Sequence, residues 1–331
     1  MKRKLTHTTK LLLLSALTAG LAFLLPGRAA AQSITVLKTF TGTAGAAPGA
    51  YPVAGLTLSG STLYGAGSAG GTGYGTVFKI SSSVAAKNDL VPTTPAGDIF
   101  TAFGIPACNV SNQVAFKATL LSGPGGMFSS NNICIYAGAP GAEALQARTG
   151  DFAPDATGTP TAAYFLGFSD PVINSLGEVA FRGTLKVTGS VTLANDTGIW
   201  STYGGTLHLV AREGDMDPAT GGTFNTFTSF ALQDSGDVVF LAKLLISGGI
   251  NATNNVGIWT YDATGALHKL IRTSDTVLVG GTDRTISKIT FLSSVAYSMG
   301  QTRSVSSAGD KLVYGATFTD KTSAILTADH P

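Results

Sequence analysis

The stretch Asn174 to Leu185, NSLGEVAFRGTL, limits what this chain can fold into more than any other, because it recurs. Weaker copies begin at Asn109 (NVSNQVAFKATL), at Gln233 (QDSGDVVFLAKL) and at Ser306 (SSAGDKLVYGATF). A short unit repeated in tandem cannot bury its own apolar face, so it must stack on its neighbours. An Asn three residues before a Gly suits a tight turn. The Asn side chain accepts from the backbone two residues on, and the Gly takes the position with unusual dihedrals. Asn174 to Gly177 is therefore read as a hairpin corner. After it, Val179, Phe181 and Leu185 face one way with Arg182 and Thr184 interleaved, the period of two that a strand demands. In the copy at Asn109 the Gly is replaced by Asn112, which tolerates a left-handed conformation well.

The full unit is longer than the corner. Phe116, Phe181 and Phe240 are spaced by 65 and 59 residues. Paired aromatics precede each corner: Phe100 and Phe103, Phe165 and Phe168, Phe224 and Phe227. A third strand is expected at Cys134-Ile135-Tyr136, Gly198-Ile199-Trp200 and Gly257-Ile258-Trp259, and a fourth at ALQARTGD, LHLVAREGD and LHKLIRTSD. Each unit thus reads as four antiparallel strands. It resembles the NxxGxxAF tandem-repeat proteins, exported bacterial proteins with variable C-terminal anchors. Asn174, Gly177, Ala180 and Phe181 match in full, the copy at Asn109 and Phe116 lacks the Gly, and that with Gly236 and Phe240 lacks the Asn and Ala. The resemblance implies no activity, since that family is defined by its repeat. Residues 33–83 differ. Gly55-Leu56, Leu63-Tyr64-Gly65, Gly70-Gly71 and Gly75 to Ile80 resemble one unit of the GloVer tandem-repeat family.

Four-stranded units in series predict an all-β chain and a β-propeller, which protects strand edges by closing a ring. Five blades are expected: 53–92 with residues 88–92 as its outer strand, then 99–151, 164–215 and 223–275, and a last one, 285–327, completed by the N-terminal strand 34–40.

The N-terminus has Lys2, Arg3, Lys4 and Lys10, an apolar run from Leu11 to Leu25, and Ala29-Ala30-Ala31 before Gln32. That is a secretory signal peptide with cleavage expected after Ala31. No later segment is apolar enough to span a membrane. Residues 1–31 hold five of the 21 Lys and Arg and none of the 19 Asp and Glu, which leaves 16 positive and 19 negative charges. The basic balance belongs to the leader, and nucleic acid is not expected as a partner. The expected location is secreted, periplasmic or cell-surface.

Chemistry leaves few marks. Arg148 and Asp151, Arg212 and Asp215, Arg272 and Asp275 recur at equivalent places. They are read either as a rim of carboxylates, with Asp215 and Asp217 the candidate pair for Ca²⁺, or as turn caps in which Arg pairs with Asp or with the next blade. His208 and His268 occupy equivalent positions and read as a repeated surface. No metal-binding HExxH, nucleophile elbow or phosphate loop occurs. Tyr136, Trp200 and Trp259 share one position and are expected between blades. Cys108 and Cys134 fall at opposite ends of an intervening strand, too far apart for a disulfide. No catalytic residue and no cofactor is expected. The chain reads as a non-catalytic, monomeric scaffold whose loops, such as 151–163 and 215–222, bind an extracellular protein or a polysaccharide. The alternative is a carbohydrate-binding or hydrolytic enzyme on a propeller, which would need two convergent carboxylates, not equivalent by repeat, at the central channel.

Overall fold

The computed structural model describes residues 50–52, 57–59, 62–69, 76–79, 83–91, 98–121, 128–291 and 311–329. They form five antiparallel sheets in chain order. The first holds β1 (Ala50–Pro52), β2 (Thr57–Ser59), β3 (Thr62–Ala69), β4 (Thr76–Lys79) and β5 (Ser83–Ala86). The second holds β6 (Phe100–Phe103), β7 (Ala107–Cys108), β8 (Val114–Leu120), β9 (Ile133–Gly138) and β10 (Ala144–Arg148). The third holds β11 (Phe152–Pro154), β12 (Pro160–Phe168), β13 (Val172–Ile173), β14 (Val179–Leu185), β15 (Thr197–Ser201) and β16 (His208–Arg212). The fourth is β17 (Phe224–Leu232), β18 (Val238–Leu244), β19 (Val256–Tyr261) and β20 (Leu267–Arg272). The fifth is β21 (Thr276–Val279), β22 (Thr282–Thr290), β23 (Lys311–Phe318) and β24 (Ser323–Asp329). Among the described residues the one helical element is a 3-10 turn, Tyr203–Gly205.

Proline punctuates the first strand of two units. Pro106 separates β6 from β7 and Pro171 separates β12 from β13, because a proline has no N–H for the ladder. The fourth unit has no proline there, and β17 runs unbroken over nine residues.

The sheets stack face on face, and the Ala-Phe pair of the repeat explains how. Neighbouring residues on a strand point to opposite faces. Phe116 packs with Ala85 and Val91 of the preceding unit, while Ala115 packs with Phe165 and Phe181 of the following one. In the same way Phe181 faces back and Ala180 faces forward onto Phe224 and Phe227. Phe240 faces back, and Val239 faces forward onto the fifth sheet. Every internal sheet therefore shows an aromatic face to its predecessor and a small or aliphatic face to its successor. Each fully buried Phe stabilises such an interface by about 1.5–3 kcal/mol.

Tyr136, Trp200 and Trp259 lie in these inter-sheet layers, fully buried. The Trp200 indole rests on Gly198 and Gly183, where an added Cβ would sit 2.9 Å from the ring, and Trp259 rests on Gly257 at 2.8 Å. Cys134 takes the place of Gly198 in the second sheet, and the smaller Tyr136 ring takes that of the indole. Cys134 lies opposite Ala118 and Cys108 opposite Val114, four residues apart along β8, and no disulfide joins them.

Three expected boundaries move, and one of them is residues 151–163, expected as a loop, where β11 pairs with the start of β12 in a hairpin. The outer strand of the first unit is Ser83–Ala86 rather than residues 88–92, because Asn88 adopts φ 71°, a left-handed turn that ends the strand. The fifth unit gains β21, paired with β22, before the strands expected from the sequence. Residues 34–40, expected to complete that unit, lie outside the described residues.

Candidate functional site

At one end of the second, third and fourth sheets stands the corner that begins at Asn109, Asn174 and Gln233. Asn174 Oδ1 accepts from the backbone N–H of Leu176 at 3.1 Å and of Glu178 at 3.0 Å. Asn109 Oδ1 accepts likewise from Ser111 at 3.0 Å and Gln113 at 2.9 Å. The left-handed positions fall at Gly177 (φ 88°), Gly236 (φ 95°) and Asn112 (φ 61°).

The other half of each amide leaves its own sheet. Asn109 Nδ2 donates to the backbone carbonyl of Asn174 at 2.8 Å, and Asn174 Nδ2 donates to that of Gln233 at 3.1 Å. Asn109, Asn174 and Gln233 thus form a ladder of buried corner residues, one rung per sheet. A second bond, from the Ser175 N–H to Asp234 Oδ1 at 2.7 Å, reinforces the step from the third sheet to the fourth. The following residues repeat this logic with cations. Lys117 Nζ reaches the Phe168 carbonyl at 3.3 Å and Arg182 Nη1 reaches the Phe227 carbonyl at 2.9 Å. The recurring Asn and the cation after Phe are inter-sheet fasteners as well as local formers of turn and strand.

At the opposite end lie the Arg-to-Asp turns. Asp215 Oδ2 accepts from the Arg212 N–H at 3.0 Å and Asp275 Oδ2 from the Arg272 N–H at 2.8 Å. Asp151 instead pairs with the Arg148 side chain at 2.7 Å. Asp275 also meets Lys269 at 2.9 Å. A fourth member appears at Asp89, whose carboxylate accepts from the Ala86 N–H at 2.8 Å. Before each Asp stands a left-handed residue, Asn88, Gly150, Gly214 or Ser274. The turn then bonds to the next sheet: Phe100, Phe165, Phe224 and Ile286 donate N–H to Asp89, Asp151, Asp215 and Asp275. The sequence signal for Asp89 was present in Asn88, but Ala86 in place of Arg obscured it.

Both members of the suggested Ca²⁺ pair accept hydrogen bonds within their own turn. Asp217 Oδ1 accepts from the Ala219 N–H at 3.2 Å and its Oδ2 from the Thr220 hydroxyl at 2.5 Å. Burial pushes the Asp215 carboxyl above its ordinary value. Among the described residues no group of three or more His, Cys, Asp or Glu is placed to hold a metal ion.

Two carboxylates depart from the repeat. Asp196 stands where the flanking sheets have Asn132 and Asn255, and Glu213 where they have Thr149 and Thr273. Glu213 is 9% exposed. Burial, then the neighbouring Asp196, raise its pKa, while Thr197 and Arg182 act the other way. The signal for Glu213 lies beside the recurring Arg, since Arg148 and Arg272 are each followed by Thr and Arg212 by Glu. His208 and His268 sit at equivalent places in β16 and β20. His208 lies against the Tyr261 ring at 6.0 Å, and His268 Nε2 meets Asp262 Oδ2 at 2.8 Å. Burial acts to raise the Asp262 pKa, yet the bonds from Thr264, Ala266 and His268 bring it down to about 2.

The residue after the turn Asp is apolar and open to solvent in three of the four turns, while Thr276 follows Asp275. Leu90, Phe152 and Met216 are 68%, 50% and 67% exposed. Phe152 stacks on Tyr164 with centroids 4.5 Å apart. Leu121, Val187, Leu193, Leu245 and Ile246, in the loops at this same end, are exposed too.

A model of a family of unknown function, DUF7453, matches residues 53–329. The chain belongs to the DUF7453 family. That match runs from the first sheet to the end of β24, so both kinds of unit lie within one DUF7453 region. No curated protein matches this DUF7453 chain. Among solved structures it is similar to the "putative exo-beta-1,3-galactanase from Bifidobacterium bifidum s17", at 14% identity, with 85% of this chain and 82% of that one covered. The TM-score of that likeness is 0.28, and it carries no argument. Among the described residues no helix is long and apolar enough to cross a membrane.

Proposed function

We propose that this DUF7453 protein is an exported, non-catalytic scaffold of propeller-type blades that binds an extracellular protein or polysaccharide at the end carrying the Arg-to-Asp turns. The observation that carries this reading is the exposure of Leu90, Phe152 and Met216 at one repeated position. Apolar side chains held open at one repeated position in three successive turns form a surface that a stable stack does not need. The recurring polar residues support the same reading, since Asn109, Asn174, Asp151, Asp215 and Asp275 spend their hydrogen bonds on turns and neighbouring sheets. The triple variant L90S/F152S/M216S should keep the parent's melting temperature and lose retention on envelope extract and on immobilised glycans. Undiminished retention would refute the assignment of that end.

The enzymatic alternative draws on Asp196 and Glu213, the pair outside the repeat. Glu213 is 9% exposed, which leaves its carboxylate little room to meet a glycoside and favours the scaffold reading. Glycan hydrolysis by the parent that E213Q abolishes would reverse this preference.

A further inference from the structure

The forward face of the fifth sheet has the residues of an inter-sheet interface, and among the described residues no sheet lies upon it. Ile325 lies opposite Gly315 on β23, as Ile258 lies opposite Leu241, Ile199 opposite Arg182 and Ile135 opposite Lys117. Ile135, Ile199 and Ile258 are each 0% exposed, pressed against the next sheet, whereas Ile325 is 76% exposed. Val313 occupies the place of Ala115, Ala180 and Val239 and is 38% exposed where those are fully buried. Thr290, Gly315, Thr317, Ser323 and Thr327 fill the rest of the face, with Lys288 at its margin. A Cβ added at Gly315 would make only ordinary contact, with Thr290 at 3.6 Å and the Ile325 side chain at 3.9 Å, so the glycine keeps this part of the face flat. This is the flat, small-residue and aliphatic face that receives an aromatic face three times elsewhere in the chain.

We propose that this face docks a second copy of the chain, whose first sheet takes the position of a sixth. The contact continues the stacking already present between successive sheets and joins unlike faces, so it is heterologous and extends head to tail. A same-chain occupant, the closed ring expected from the sequence, would have to cover Ile325. This inference goes beyond the partner-binding reading and involves a sheet face rather than the turns that carry Leu90, Phe152 and Met216.

The test is light scattering of the purified chain over a hundredfold range of concentration, with I325D, V313D and I325C beside the parent. The mass of the parent should rise with concentration. I325D and V313D should remain monomeric with an unchanged melting temperature, because both positions are exposed in the single chain. The I325C thiol should react with maleimide quickly when dilute and several-fold more slowly when concentrated. A monomer at every concentration whose I325C thiol is always protected would mean that the chain's own first sheet closes a ring. A monomer whose thiol always reacts fast would mean that the face has no occupant. Association that survives I325D would place the contact elsewhere. Each of these three results overturns the proposal.

Discussion

Replacing Asn174 by Asp separates the two tasks of the corner residue. Asp keeps the carboxyl oxygen that accepts from Leu176 and Glu178, and it forms this kind of turn as readily as Asn. It loses the Nδ2 donor, which reaches Glu178 Oε2 at 2.7 Å and the Gln233 carbonyl at 3.1 Å. Repulsion from Glu178 would confuse the result, so the comparison is N174D/E178Q against E178Q. A buried acceptor left without its donor costs about 1–3 kcal/mol. The carboxylate that then faces the Gln233 carbonyl adds to this, giving about 2–4 kcal/mol in all. The melting temperature should fall by about 4–16 °C, at roughly 2–4 °C per kcal/mol for a chain of this size. Trp200 and Trp259, in the third and fourth sheets that the bond joins, report the transition by fluorescence. If Asn174 does no more than shape its own turn, the two proteins will agree to within about 0.5 kcal/mol, the range of an inconsequential substitution. That agreement would refute the ladder as a source of stability.

Three further outcomes follow from the same geometry. W200F removes an indole N–H that donates to the Pro154 carbonyl at 3.0 Å, whereas the buried Trp259 Nε1 has no partner among the described residues. W200F should therefore be more destabilising than W259F by about 1 kcal/mol in urea titrations. Glu213 has a raised pKa in the folded chain, so the native state holds its proton more tightly than the unfolded one. Stability should fall as pH rises from about 4.3 through the folded-state pKa, and E213T, which restores the residue of the flanking sheets, should flatten that slope in denaturation curves between pH 4 and 8. Burial pushes the Cys134 thiol up to about 12. It should react with a thiol reagent at neutral pH only as fast as the chain opens, and rapidly in denaturant.

Local chemistry was the legible part of the sequence. The Asn-to-Gly corner, the alternation through Val179, Phe181 and Leu185, and the common position of Tyr136, Trp200 and Trp259 are set by neighbours a few residues away. The pattern of side chains records them directly. The outward donation of Asn109 and Asn174 was not legible, because its acceptors are backbone carbonyls 65 and 59 residues distant, and any residue supplies a carbonyl. Asp89 escaped because its turn keeps the left-handed residue and the Asp but not the Arg. The exposed trio of Leu90, Phe152 and Met216 escaped for the opposite reason, since apolar residues after a turn look like the beginning of a buried strand.

The opposed faces of each sheet give the chain a polarity that goes beyond stability. A unit that shows Phe backwards and Ala or Val forwards fits between any two others, because every internal junction asks for the same pair of surfaces. A duplicated stretch of about 60 residues, copied in phase, would meet the correct neighbour on both sides without a compensating change. A copy cut out of phase would place two like faces together and be lost. Growth by whole-unit duplication is thus the inexpensive route for this architecture. Drift after copying would then account for corners such as Gln233 and Asn112, which keep the geometry of the motif after losing its letters.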